Sequence, residues 1–207
     1  MKLIRFAAIA AVLFSFASLT RAEIAPASSA GAAKPLKTGD SIPDVTLVDM
    51  NGKSVDLRKA VAERPAAIIF YRGGWCPYCM KHLADVGKIK DDIKKAGYQI
   101  LAITPDKPEI IKQTADKKEL EYTLLSDSDN AAARAFGVAF TLDADTLEKY
   151  TKYGIDLTKQ SGGKNKDVLP VPAFYLVSKD GKIIFDHSDP DYTKRIAKED
   201  ILAAIAK

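Results

Sequence analysis

Soft metal ligands are scarce in this chain: its 207 residues include two cysteines and two histidines. A structural zinc needs four ligands at set spacings, and His82 and His187 lie far apart in sequence. A metal centre is therefore not expected. An excess of one charge is also lacking, since 31 Lys and Arg stand against 27 Asp and Glu. Lys2, Arg5 and Arg21 precede the first acid, Glu23, so the chain beyond residue 22 carries 28 cations and 27 acids, a net +1. With signs mixed as in KIKDDIKK, nothing electrostatic draws the protein to nucleic acid or anionic lipid. No run reaches the about 20 apolar residues that a membrane-spanning helix requires. No internal repeat and no nucleotide or flavin motif occurs, and no cofactor is expected.

The first 22 residues have three parts: the basic start MKLIR, the apolar run FAAIAAVLFSFASL and the exit TRA. That is the pattern of a secretory signal peptide, against the alternative of an uncleaved anchor. Cleavage is expected after Ala22, with the mature chain secreted into an oxidising compartment such as a bacterial periplasm and no longer membrane-bound. Residues 23–36 are rich in Ala, Pro and Ser and read as a flexible lead-in. Residues 37–207 then make one domain, long enough to bury a core without staples.

Within that domain, TLVDMNGKSVDL holds two short apolar-rich runs around Asn51-Gly52, a hairpin signal. AAIIFY (66–71) and YQILAIT (98–104) are nearly continuous apolar runs, suited to inner strands of a sheet covered on both faces. Between them Leu83, Val86, Ile89 and Ile93 recur at helical spacing, with Gly97 as a stop. This is a βαβ unit. A second helix is expected from Asp106, with DKPE as a capping box closed by Glu109. YTLLSD reads as an edge strand and NAAARAFG as a short helix. Residues 138–170 interrupt the rhythm with one helical stretch, ADTLEKYTKY, and the polar loop KQSGGKNKD. Inserts of that length are functional, mobile or simply solvated. AFYLV and KIIFDH flank a KDG turn as a final hairpin, and KEDILAAIAK closes with a helix. The fold class is α/β: a central mixed sheet flanked by helices, with an N-terminal β-hairpin and an insert before the last hairpin.

Both thiols lie in FYRGGWCPYCM, as Cys76 and Cys79. An apolar strand ends, a glycine pair turns the chain, and Pro77 suits the first turn of a helix. Free N–H groups and the macrodipole at that helix start favour a thiolate. A purely structural disulfide would close a very short ring, for only about 2 kcal/mol. Redox chemistry explains the pair better. Around it, Arg72 either lowers a thiol's pKa or is solvated at the surface. Trp75 either packs on the sheet or meets a substrate. Tyr78 shapes access to the sulfurs or covers them, and His82 is a proton carrier or idle.

WCPYC after an apolar strand resembles the thioredoxin superfamily, with the Pro-Tyr pair of glutaredoxins. GDSIPDVTLVDMNGKSVDL, FYRGGWCPYC, ILAITPDKPE, YTLLSD with AFGV, and VPAFYLVSKDGKI together resemble the peroxiredoxin-like branch of the alkyl hydroperoxide reductase/thiol-specific antioxidant family. The resemblance spans most of residues 37–207 and implies a thioredoxin-like fold with thiol-dependent oxidoreductase chemistry. Laid on the peroxiredoxin loop, Cys79 falls on the peroxidatic cysteine, Cys76 on its threonine and Arg72 on its proline. The arginine that peroxiredoxins carry near VPAF is absent, and Pro172 stands about there. Threonine and arginine orient the peroxide and stabilise its departing oxygen. On the thioredoxin pattern Cys76 attacks and Cys79 resolves. Pro172 is then a cis-proline after Val171, beside backbone left free for a substrate chain. The resemblance thus leaves two substrates open, a hydroperoxide or a protein disulfide. A third possibility is a non-catalytic binding module with a structural bridge. Trp75, Tyr78, Arg72, Val171 and Pro172 are the candidate substrate contacts, and a dithiol protein is the expected reductant.

Overall fold

The computed structural model describes residues 24–207. The expected cleavage after Ala22 lies outside the described residues. A 3-10 turn (Ala30–Ala32), nine strands and eight α-helices are assigned within them, the strands and α-helices beginning with β1 (Thr46–Asp49), β2 (Ser54–Asp56) and α1 (Leu57–Glu63). β3 (Ala66–Phe70) leads to α2 (Pro77–Lys88), α3 (Lys90–Lys95) and β4 (Gln99–Thr104). Then come α4 (Pro108–Lys118), β5 (Thr123–Ser126), α5 (Ala131–Ala135), β6 (Ala139–Thr141) and α6 (Ala144–Lys152). The chain closes with α7 (Leu157–Gln160), β7 (Val168–Pro170), β8 (Ala173–Val177), β9 (Ile183–Ser188) and α8 (Lys198–Ile205).

Seven strands form one mixed sheet in the order β2-β1-β5-β4-β3-β8-β9. β3, β4 and β5 are parallel, joined by the helical crossovers that the apolar runs predict, and β8 returns antiparallel to β3. All five residues of β3 are buried, and the two-residue period of a strand divides them between two cores. Ala66, Ile68 and Phe70 face one core with Leu57, Val61, Phe136 and Tyr175. Ala67, Ile69 and Tyr71 face the other with Leu83, Val86, Ile93, Ile111 and Ile201. α1 and α5 thus cover one face, and α2, α3, α4 and α8 the other. Each fully buried Ile, Leu or Phe contributes about 1.5–3 kcal/mol, which is why β3 is an inner strand, between β4 and β8, and fixes where α2 begins.

Three expectations are corrected. β5 is an inner strand, because β1 pairs with it on its outer side (Val48 opposite Ser126) and takes the edge-ward place. The helix after β4 starts at Pro108 with Lys107 at its cap and no side-chain capping bond. Asp106 is instead buried and turned inward. The lead-in does not hang free: Ala27 N–H bonds Ala139 O at 2.9 Å, Thr141 N–H bonds Ala27 O at 2.8 Å, and Leu36 N–H bonds Phe136 O at 3.0 Å. Gly137 (φ 69°) lets this happen, since a Cβ there would run into the Lys34 carbonyl.

The insert is a small structure of its own. β6 and β7 pair antiparallel, and Leu142, Leu157 and Leu169 make a third apolar cluster. Partly buried Leu147, Tyr150 and Trp75 pack against it. Beyond the one helical stretch that the sequence predicts, a second helical turn, α7, runs into the polar loop; Asp156 caps it by accepting Lys159 N–H at 2.9 Å.

Candidate active site

β3 delivers the chain to Tyr71 and Arg72, both buried. Gly73 has φ 148°, and a Cβ there would collide with the Trp75 indole nitrogen. This part of backbone space is essentially reserved for glycine, so the glycine pair is needed to turn the strand end into a helix start. Gly74 N–H is held by the Asp106 carboxylate at 2.7 Å. Asp106 therefore braces the dithiol loop from the end of β4, a role its place in DKPE did not reveal. Burial, with the Cys79 sulfur adding to it, raises its pKa to about 7 despite the Gly74 bond.

Cys76 is the N-cap of α2 and Pro77 its first residue. The Cys79 thiol donates to Cys76 Sγ at 2.7 Å, and Cys79 N–H points at the same sulfur at 3.4 Å. Both cysteines are free and buried. The bond from Cys79 S–H, then its N–H and the Arg72 and Arg195 charges, bring the Cys76 thiol down to about 6 against the opposing effect of burial. Burial and the Cys76 charge push Cys79 well above the ordinary thiol range. Both effects act in the same direction, favouring negative charge on Cys76 and the shared proton on Cys79.

Arg72 is only 4% exposed, so it is not a solvated surface arginine. Its guanidinium carbon sits 4.2 Å from the Tyr192 ring centre, 5.2 Å from Trp75 and 5.6 Å from Tyr150. Cation–π contacts of this kind contribute about 0.5–2 kcal/mol each. Trp75 packs edge-on against Tyr150 of the insert, at 5.2 Å. Tyr78 is 45% exposed and meets Tyr192 at 5.9 Å. A cleft of about 310 Å³ lies alongside, lined by Arg72, Phe140, Leu142, Tyr150, Pro172 and Tyr192. The structure thus brings Arg72, Trp75, Cys76, Tyr78, Cys79 and Pro172 together.

Val171 and Pro172 correct an expectation. No peptide bond among the described residues is cis, so Val171–Pro172 is trans. Two residues, Val171 and Pro172, link β7 to β8, and Val171 N–H already bonds Val138 O at 2.8 Å. The backbone that was to receive a substrate chain is occupied by the insert. His82 is 7% exposed rather than partly open to solvent, and burial, with help from Arg195, drops its pKa to about 4, which weighs against the proton-carrier alternative. The residue that sequence reasoning missed is Arg195, whose Nη2 donates to Cys79 Sγ at 3.2 Å across 116 positions. Nothing in YTKRIAKED separates it from a surface cation. The only hint is Ile196 beside it, an apolar residue in a charged run.

A strand-turn-helix carrying a buried dithiol on a mixed sheet defines a thioredoxin-fold thiol protein. The chain belongs to the AhpC/TSA family, which matches residues 38–185. Peroxiredoxin Bcp of Escherichia coli is 38% identical over 104 residues, half of this chain and 66% of that protein's length. A Mycobacterium tuberculosis relative named as a peroxiredoxin is 30% identical over 163 residues, 79% of this chain and 92% of its own. Among solved structures, Peroxidoxin BcpB from M. tuberculosis matches with a TM-score of 0.63 at 20% identity, over 83% of this chain and 97% of its own. Peroxiredoxin Q of Xanthomonas campestris matches with 0.61 at 22%, over 84% and 96%. These two share the fold.

Proposed function

We propose that the chain reduces hydroperoxides through a cycle confined to Cys76 and Cys79, with Cys76 attacking. The observation that carries this is the 2.7 Å sulfur pair at the start of α2, where the Cys79 S–H and N–H are both directed at Cys76 and favour it as the nucleophilic thiolate. Cys76 Sγ attacks one peroxide oxygen and the O–O bond breaks. Cys76 becomes a sulfenic acid, and the alkoxide or hydroxide leaves and takes up a proton. Cys79 Sγ then attacks the Cys76 sulfur, the S–O bond breaks, and hydroxide departs with the Cys79 proton as water. A dithiol protein returns two electrons to the disulfide. Family membership supports peroxide reduction, although its loop aligns the peroxidatic cysteine with Cys79; the choice of Cys76 rests on the sulfur pair alone, and burial of both sulfurs favours an oxidant as small as a peroxide. Positive charge for the departing oxygen comes from Arg72, in place of the missing family arginine. Exchange with protein disulfides is less well supported, because Val171 N–H is already bonded. We also propose export, on the strength of the basic and apolar N-terminal segment. A mass beginning at Glu23 in an extracytoplasmic fraction would support it, and an intact Met1 there would refute it.

The deciding experiment gives one equivalent of peroxide to the reduced single-cysteine variants. Cys79→Ser is expected to form sulfenic acid at Cys76. Faster oxidation of Cys79 in Cys76→Ser would reverse the order of the two sulfurs. Failure of wild-type protein to consume peroxide would leave thiol exchange as the function.

A further inference from the structure

We infer that Arg195 is a catalytic residue of the second half of the cycle: its guanidinium, 3.2 Å from Cys79 Sγ, stabilises that sulfur as the anion that closes the disulfide. The inference rests on the peroxide-reducing cycle proposed above and assigns a step that the dithiol alone leaves without a driving charge.

The placement of Arg195 is built rather than incidental. It follows β9, in a segment beyond the 38–185 match to the family. Within the exposed run Asp191–Lys194 and its surroundings, Ile196 is 5% exposed and joins the core beneath α2, and Ile201 of α8 is fully buried there. These two anchors fix the backbone on either side of the turn into α8. The Arg195 Nη1 donates to the carbonyls of Tyr192 and Lys194, which leaves Nη2 aimed at sulfur. The hydrogen bonds of this guanidinium go to two carbonyls and one sulfur, with no carboxylate among them.

The need for it changes during the cycle. Before oxidation, the negative charge on Cys76 and burial keep Cys79 protonated. Sulfenic acid formation removes that charge, because the acid is neutral. The groups facing Cys79 are then Arg195 from the C-terminal segment, Arg72 and Tyr71 at the end of β3, and Asp106 beyond β4. The positive charges now have no thiolate to balance them until Cys79 gives up its proton. An opposite charge at this distance favours the ionised form by about 1–3 pH units. Arg195 also borders a cleft of about 580 Å³ with Tyr78 and His82.

The test uses full-length Arg195→Gln and Arg195→Lys, with sulfenic acid and disulfide counted by quenched-flow mass spectrometry after one equivalent of peroxide. Arg195→Gln is expected to slow disulfide closure, relative to sulfenic acid formation, by about tenfold or more. Arg195→Lys should recover most of that loss. A second measurement needs no peroxide. In a Cys76→Ser background, the thiolate absorbance of Cys79 is followed against pH, and Arg195→Gln should move its midpoint up by about one pH unit or more. An unchanged closure ratio, or an unmoved Cys79 midpoint, overturns the inference. Wild-type protein that ignores peroxide would sink the peroxidase reading alone, with the Cys79 midpoint still deciding the role of Arg195.

Discussion

Cys79→Ala removes the thiol that donates to Cys76 while leaving the backbone N–H at 3.4 Å in place. The S–H bond is the largest influence holding Cys76 near 6. A hydrogen bond to a charged group contributes about 1.5–3 kcal/mol, and about 1.4 kcal/mol corresponds to one pH unit. Losing it should therefore raise Cys76 by roughly one to two units. At pH 6.5 a thiol titrating at about 6 is roughly three-quarters ionised, whereas one near 7.5 is roughly one-tenth ionised. The attack rate of Cys76 on iodoacetamide should fall about eightfold at pH 6.5 and be nearly unchanged by pH 9, where both forms are ionised. The assay is the alkylation rate against pH, with thiolate absorbance as a direct readout. A Cys76 midpoint that stays near 6 in Cys79→Ala would refute the shared-proton account and leave the residue-79 N–H and the Arg72 and Arg195 charges as the sources of the low pKa.

Four other outcomes are expected. Gly73→Ala should lose about 1–3 kcal/mol of stability in urea, from a backbone reserved for glycine and a collision with the Trp75 indole; an unchanged midpoint would remove the strained-turn argument. Gly137→Ala should loosen the lead-in around Lys34, read as faster proteolysis within residues 24–36 while the disulfide cycle persists. Asp106 and Asp127 both have folded-state pKa values raised to about 7 by burial, so the folded state keeps protons that the unfolded chain has lost. Their contribution is complete below about pH 4 and is lost as pH rises to about 7; Asp106→Asn should flatten its share of that decline, measured by denaturation at several pH values. His82, held near 4 by burial, should show no titration between pH 5 and 8 in its NMR shifts, and a midpoint near 6.5 would restore it as a proton carrier.

The sheet was legible where one physical rule acted alone. AAIIFY and YQILAIT have no polar residue that a buried strand must exclude except at their ends, and they are β3 and β4. The dithiol on a helix start followed from Gly-Gly, Pro77 and the three-residue spacing. What failed depended on partners distant in sequence. YTLLSD looked peripheral because nothing local shows that β1 pairs outside it. Asp106 fits a capping box as well as it fits a buried brace, and only the approach of Gly74 decides between them. Arg195 meets Cys79 through a fold-back of 116 residues, for which side-chain patterning carries no signal. The lead-in looked unstructured from composition, yet its backbone groups find partners along β6 and at the end of α5.

Trp75 belongs to two apolar clusters at once, packing on the core beneath α2 and on the small core of the insert. It is also the only tryptophan in the chain and the immediate neighbour of Cys76. Three leucines form the buried heart of that insert core, so the insert belongs to the low-stability end of the molecule, where local opening precedes global unfolding. Because the two share a side chain, loosening the insert is expected to free one side of Trp75, the residue next to Cys76. Amide exchange through α6 and α7, reagent access to the thiols and indole emission are thus three readings of one equilibrium. A substitution in the insert far from either sulfur can change how long the dithiol stays sealed.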